Sequence, residues 1–64
     1  MTIAELVKTK REEAGMSQFQ LAIKTGITAT SICKIEKGHC VPSLESRKKI
    51  AAALDCDLSE FVNV

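Results

Sequence analysis

The sequence predicts an all-α fold: one domain over residues 1–64, built as a compact bundle of five short helices. Three observations carry this. Five segments open on residues that favour helix N-caps, led by Thr2, Ser17, Thr28, Ser43 and Asp57. Apolar residues recur at spacings of three and four, and no alternating apolar–polar run reads as a strand. The only aromatics are two phenylalanines, Phe19 and Phe61, so Ile, Leu, Val and Ala must fill the core.

The first helix is expected over 2–14. Thr2 and Glu5 have the spacing of a capping box, and Ile3, Leu6, Val7 and Ala14 form its stripe. Gly15 stops it, because glycine adopts a left-handed C-cap without a Cβ penalty. The second helix, over 18–25, repeats the box with Ser17 and Gln20 and buries Leu21 and Ala22. The third, over 28–37, starts at Thr28 and buries Ile32 and Ile35. Ile27 enters from the turn and Gly38 closes the helix. Pro42 cannot extend the preceding segment, so the fourth helix begins after it, over 43–54, with Leu44, Ile50, Ala51 and Leu54 inward. Asp57 and Glu60 mark the fifth, over 58–62, with Leu58 and Phe61 closing the core. None is long enough to be stable alone in water, so folding must be cooperative.

Composition narrows the function. A domain this small buries only about 60% of the surface its unfolded chain exposes, which leaves nothing for a second domain or a cofactor shell. No cofactor and no metal are expected. The chain is 45% apolar and 27% charged, a balance that fits a folded domain rather than a disordered one. Its net charge of +1 says little, because placement matters more than sum. The N-terminus is charged within five residues and has no unbroken apolar run, so neither a signal peptide nor a membrane span is expected, and the default location is cytoplasmic. Three cysteines, Cys33, Cys40 and Cys56, do not fit a disulfide framework and read as reduced thiols.

The most regular stretch, SQFQLAIKTGITATSICKIEKG from Ser17 to Gly38, is broken by Gly26. Leu21 and Ala22 define one buried face, and Ile32 and Ile35 another. The connection between them is only a few residues long. A tight link between steeply crossed helices needs a positive φ, which glycine supplies, and Ala22 is small enough for close approach. The stretch therefore reads as helix, turn, helix.

Gln18, Leu21, Ala22, Gly26, Ile27, Ile32, Ile35 and Glu36 stand where the helix-turn-helix repressors of the phage Cro and cI type carry the same or similar residues. MSQFQLA, IEKG and PSLES…KIAAALDCDLSEF likewise resemble bacterial regulators of the xenobiotic-response-element type, and the resemblance covers roughly residues 3 to 62. It implies a lambda-repressor-like bundle and a sequence-specific regulator of transcription, a repressor above all, acting on double-stranded DNA. The third helix would enter the major groove, and the N-terminus of the second would touch phosphate.

The residues give a reading face on their own terms. Opposite Ile32 and Ile35 lie Ala29, Thr30, Cys33, Lys34 and Lys37. Thr30 offers a hydroxyl and a methyl, Ala29 a methyl for thymine, and Lys34 a donor for guanine acceptors. By resemblance Ala29, Thr30 and Lys34 match the base-reading positions. A longer polar residue is common at the position of Ala29, so sequence preference would rest on Thr30, Lys34 and DNA shape. Gln18 can bond a phosphate. Thr28 and Ser31 flank the N-terminus of the third helix, where free amides favour an anion, and Lys37 and His39 follow its end. Each also suits a plainer part: Thr28 as an N-cap, Ser31 as a solvated hydroxyl, Lys37 and His39 as surface charges. From Met16 to Val41, three lysines against one glutamate make the segment +2 with His39 neutral.

Glu36 falls near the end of the third helix, where the dipole disfavours a negative charge, so it needs a cationic partner. The resemblance implies an ion pair with Arg11. Phe19, between Gln18 and the inward Leu21, should face outward.

One short helix reads few base pairs, so a two-fold homodimer is expected. Its face would come from the loop around Cys40 and Val41 and the segment from Leu58 to Val64, with Val62 and Val64 as candidates for a partner. Two other functions compete. A metal or redox sensor would use Cys33, His39 and Cys40, but their spacing lacks the short C-x2-C of a structural zinc site, and Cys56 reads as core. A protein-interaction module, such as an antitoxin subunit, would use the same fold. An enzyme is not expected: one histidine, no phosphate loop and no nucleophile–base pair leave nothing to catalyse with.

Overall fold

The structure is a computed structural model that describes residues 1–62; Val64, named above for a dimer face, lies outside the described residues. It is all-helical, in the order α1 (Ile3–Glu13), α2 (Gln18–Thr25), α3 (Ala29–Glu36), α4 (Leu44–Ala53) and α5 (Ser59–Val62). The expected bounds were wider by a residue at most capped ends because they included the caps themselves.

The caps form as hydrogen bonds. Thr2 Oγ1 accepts from the Glu5 amide while Glu5 Oε1 accepts from the Thr2 amide, a complete box. Ser17 and Gln20 close a second at 3.0 and 2.8 Å. Thr28 and Ser43 accept from the Ser31 and Ser46 amides at the heads of α3 and α4. The Asp57–Glu60 box forms only in part. Glu60 accepts from the Asp57 amide, but the Asp57 carboxylate accepts from Ser59, two residues on, because α5 begins there and is a single turn.

Each helix contributes one side chain that is wholly removed from solvent: Val7, Leu21, Ile32, Ile50 and Phe61. Such burial is worth about 1.5–3 kcal/mol per side chain, so deleting any helix opens the common core. Helix α1 packs on α3, α2 packs on both α3 and α4, and α4 packs on α5. Helix α3 is thus held from two sides while its outer face stays open. Ile3, Ile27, Cys56 and Leu58 pack partly buried against this core, as does Met16.

Two residues expected in the apolar stripes are outside. Ala14 is exposed because it is the C-cap of α1, one residue before the chain reverses at Gly15. Leu44, 54% exposed, is the first residue of α4, where the chain has just left the buried Pro42 and the side chain projects past the end of the core.

Candidate nucleic-acid interface

The turn that presents α3 is built from three residues. Gly26 adopts φ +75° as the C-cap of α2, and its amide donates to the Ala22 carbonyl. Thr25 is the buried polar residue beside it. Its hydroxyl donates to the Leu21 carbonyl at 2.8 Å and accepts from the Ile27 amide at 3.2 Å. One side chain therefore satisfies both the end of α2 and the start of the connection to α3. Sequence reading missed Thr25; a hydroxyl residue at the last position of a helix, able to bond back one turn, was the available signal.

Below the turn, three side chains and a carbonyl lock α3 to α1 and α2. Arg11 Nε donates to Glu36 Oε2 at 2.7 Å, and Nη2 donates to Oε1 at 3.1 Å. The fork is completed by Nη1, which donates to the Met16 carbonyl at 2.7 Å. Gln18 Nε2 donates to the same Glu36 Oε1 at 3.1 Å. The side chains of Arg11 and Glu36 are 11% and 3% exposed, so the expected pair is made and nearly dry. The hydrogen bond to Glu36 holds the Arg11 guanidinium above its ordinary value against the opposing effect of burial. Glu36 is the only carboxylate between Met16 and Val41. Because it is turned inward and neutralised, it does not oppose an anion at the outer face of α3.

That outer face carries the residues named from sequence. Thr30, Lys34, Lys37 and His39 are exposed, and no ion pair among the described residues holds either lysine. Ala29 is half-buried and packs in part on the core, so only an edge of its methyl is presented. Cys33 is half-buried on the flank. The hydroxyls of Thr28 and Ser31 bond each other at 2.9 Å, and Thr28 is also the cap, so the two act together at the head of α3. Gln18 is one residue past the α2 cap, but one of its two amide hydrogens is committed to Glu36. The second is not committed to that carboxylate, and Gln18 stands in the first turn of α2, whose backbone amides the helix leaves unsatisfied. Phe19 is exposed, as expected, and Ile23 one turn later is exposed with it. Among the described residues no group of three or more His, Cys, Asp or Glu side chains stands where it could hold a metal ion.

In α4, Arg47 ties two segments together. Its Nε donates to the Pro42 carbonyl at 3.1 Å and its Nη1 to the Phe61 carbonyl at 2.8 Å. The loop before α4 and the end of α5 therefore lie side by side, and Val41, Leu44 and Val62 are all exposed there. Nothing in the sequence marks Arg47 for this task, because both partners are main-chain oxygens.

Two capped eight-residue helices joined through a left-handed glycine, with the second offering a polar outer face, define a helix-turn-helix protein. A sequence model of the helix-turn-helix family matches residues 7–61, and the chain belongs to that family, whose Cro/cI-type members it resembles. It is a family of DNA-binding regulators, not of enzymes. The chain is 36% identical over 60 residues to the HTH-type transcriptional regulator SlrR of Bacillus subtilis, covering 92% of this chain and 40% of that protein. Identity to the cryptic phage CTXphi transcriptional repressor RstR of Vibrio cholerae is 37% over 61 residues, covering 95% and 54%. An HTH-type transcriptional regulator of Methanothermobacter thermautotrophicus is 41% identical over 49 residues, covering 77% and 71%. The chain thus spans about half or less of the length of the first two relatives. Among the described residues no helix is long and apolar enough to cross a membrane.

Proposed function

We propose that the chain binds double-stranded DNA by sequence as a transcriptional repressor, with α3 in the major groove. The observation that carries this reading is the outer face of α3, where Thr30, Lys34 and Lys37 stand exposed while the one nearby carboxylate is withdrawn to Arg11. Lys34 donates to guanine acceptors and Thr30 offers a hydroxyl and a methyl, the pair of functions that base edges require. Ala29 contributes an apolar edge. Gln18, Thr28, Ser31, Lys37 and His39 position the helix on phosphates, which supplies affinity without sequence information.

A single α3 covers too few base pairs to discriminate well, so the protein acts as a two-fold dimer on half-sites about one helical turn apart. The dimer face is the end of the molecule that exposes Val41, Leu44 and Val62. The Arg47 bonds bring together the backbone beside Val41 and beside Val62, and exposed apolar side chains grouped on one face favour an interaction site.

The test is a fluorescence titration against duplex DNA taken from upstream of the protein's own reading frame, with a scrambled duplex as competitor, over a series of salt concentrations. The proposal expects tight binding to the native duplex, a steep fall in affinity with salt, and weak binding to the scrambled one. Equal, weak binding to both would overturn it and direct attention to a protein partner, as in an antitoxin.

A further inference from the structure

We infer that Arg47 is a positioning residue for self-association, fixing the spacing between the two segments that make the dimer face. The inference rests on the dimer proposed above. Arg47 sits in α4, half-buried, and spends two of its donors on main-chain carbonyls rather than on a carboxylate. Both acceptors adjoin the face. Pro42 O follows Val41, which is 76% exposed, and Phe61 O precedes Val62, which is 44% exposed. Phe61 O also belongs to the last turn of a four-residue helix, where carbonyls lack partners in the helix and a cation is favoured.

An interface across a two-fold axis uses the same patch twice, so an error in the spacing of its parts counts twice. Val41 and Val62 are on separate segments, 21 positions apart in number. Their separation is set where the guanidinium meets both carbonyls, and the planar fork holds two acceptors in fixed directions. A lysine at this position keeps the charge and most of the stem but offers one nitrogen for both oxygens. Helix α5 has attachments besides Arg47. Phe61 is wholly buried, and Glu60 reaches Lys10 of α1 at 3.4 Å. Losing the fork therefore loosens the face rather than releasing the helix.

The experiment is sedimentation equilibrium on wild type, Arg47→Lys, Arg47→Met and Leu44→Ser. It is run at a temperature where circular dichroism shows each protein fully helical, and paired with titration of a duplex bearing one half-site. The expected result is that both Arg47 variants bind the single half-site as wild type does but dimerise about tenfold or more weakly, the equivalent of one good hydrogen bond. A residue that only stabilised the fold would lower the melting temperature and leave the dimer constant of the folded protein unchanged; that result overturns the inference. Should Arg47→Met fail to fold, Arg47→Lys carries the same test. A wild type that stays monomeric, with Leu44→Ser indistinguishable from it, overturns the dimer itself and the role of Arg47 with it. A wild type that dimerises, weakened by Leu44→Ser but not by either Arg47 variant, overturns the role of Arg47 alone.

Discussion

Replacing Arg11 by alanine should cost most of the protein's stability. The substitution removes three donors at once, two from Glu36 and one from the Met16 carbonyl. It leaves a carboxylate that is 3% exposed with Gln18 as its remaining side-chain donor. Breaking a buried pair by deleting one partner costs about 3–5 kcal/mol, because the other charge stays buried and uncompensated. A domain of this length has a total stability of about 3–10 kcal/mol. A large fraction of Arg11→Ala should therefore be unfolded without denaturant. Urea unfolding followed by circular dichroism measures the loss, with Glu36→Gln beside it. That variant keeps the shape and an acceptor but strands the guanidinium, for a loss of about 1.5–3 kcal/mol. The double variant Arg11→Met/Glu36→Leu removes both charges and should recover much of the stability. The loss in Arg11→Ala should persist at high salt, since a dry pair is screened little. The raised value of Arg11 sets the pH window. Its contribution is full below the ordinary arginine range and is lost only as pH climbs through the still higher folded value, so mildly alkaline buffer should leave the pair intact. A loss below about 1 kcal/mol in Arg11→Ala, the range of a solvated surface pair, would refute the reasoning.

Other outcomes follow from single side chains. Thr25→Val keeps the volume but leaves the Ile27 amide without its acceptor, so urea unfolding should show a loss of about 1–3 kcal/mol. Asp55 carries φ +56° in the reversal after α4, and Asp55→Gly should raise stability by about 0.5–1 kcal/mol in the same assay. Thiol alkylation followed by peptide mass analysis should modify exposed Cys40 first and Cys56 last. Burial pushes the Cys56 thiol above its ordinary value, with Lys10 opposing, and its Sγ donates to the Leu54 carbonyl. The sign for stability follows: the contribution of Cys56 is full below the ordinary thiol range and declines as pH rises through it, so Cys56→Ala should flatten the alkaline side of the stability profile.

Most of the fold could be read in the chain because its signals are local. Thr2, Ser17, Thr28 and Ser43 cap the helices they precede, and Gly26 adopts the left-handed turn that a sharp connection needs. Ala14 and Leu44 misled for one reason: helical periodicity holds at the first and last positions of an element, but the core beneath them has already ended. The Arg11–Glu36 pair was accessible through the unfavourable place of a carboxylate at a helix C-terminus and through resemblance. Gln18 joining that pair was not, because amide reach depends on the angle between α1, α2 and α3. Thr25 and Arg47 escaped notice since their partners are backbone atoms, which no residue type announces.

The central claim is that the side chains of α3 read bases, and selection from a pool of random duplexes tests it most directly. Wild type, Thr30→Ala and Lys34→Ala would each be carried through rounds of binding and the enriched sequences compared. If α3 reads bases, wild type enriches a two-fold symmetric motif. Each variant should lose preference at its own position within both half-sites, by about 1–3 kcal/mol against the wrong base for Lys34. If wild type enriches no motif, or both variants enrich the wild-type motif unchanged, α3 is not the reader.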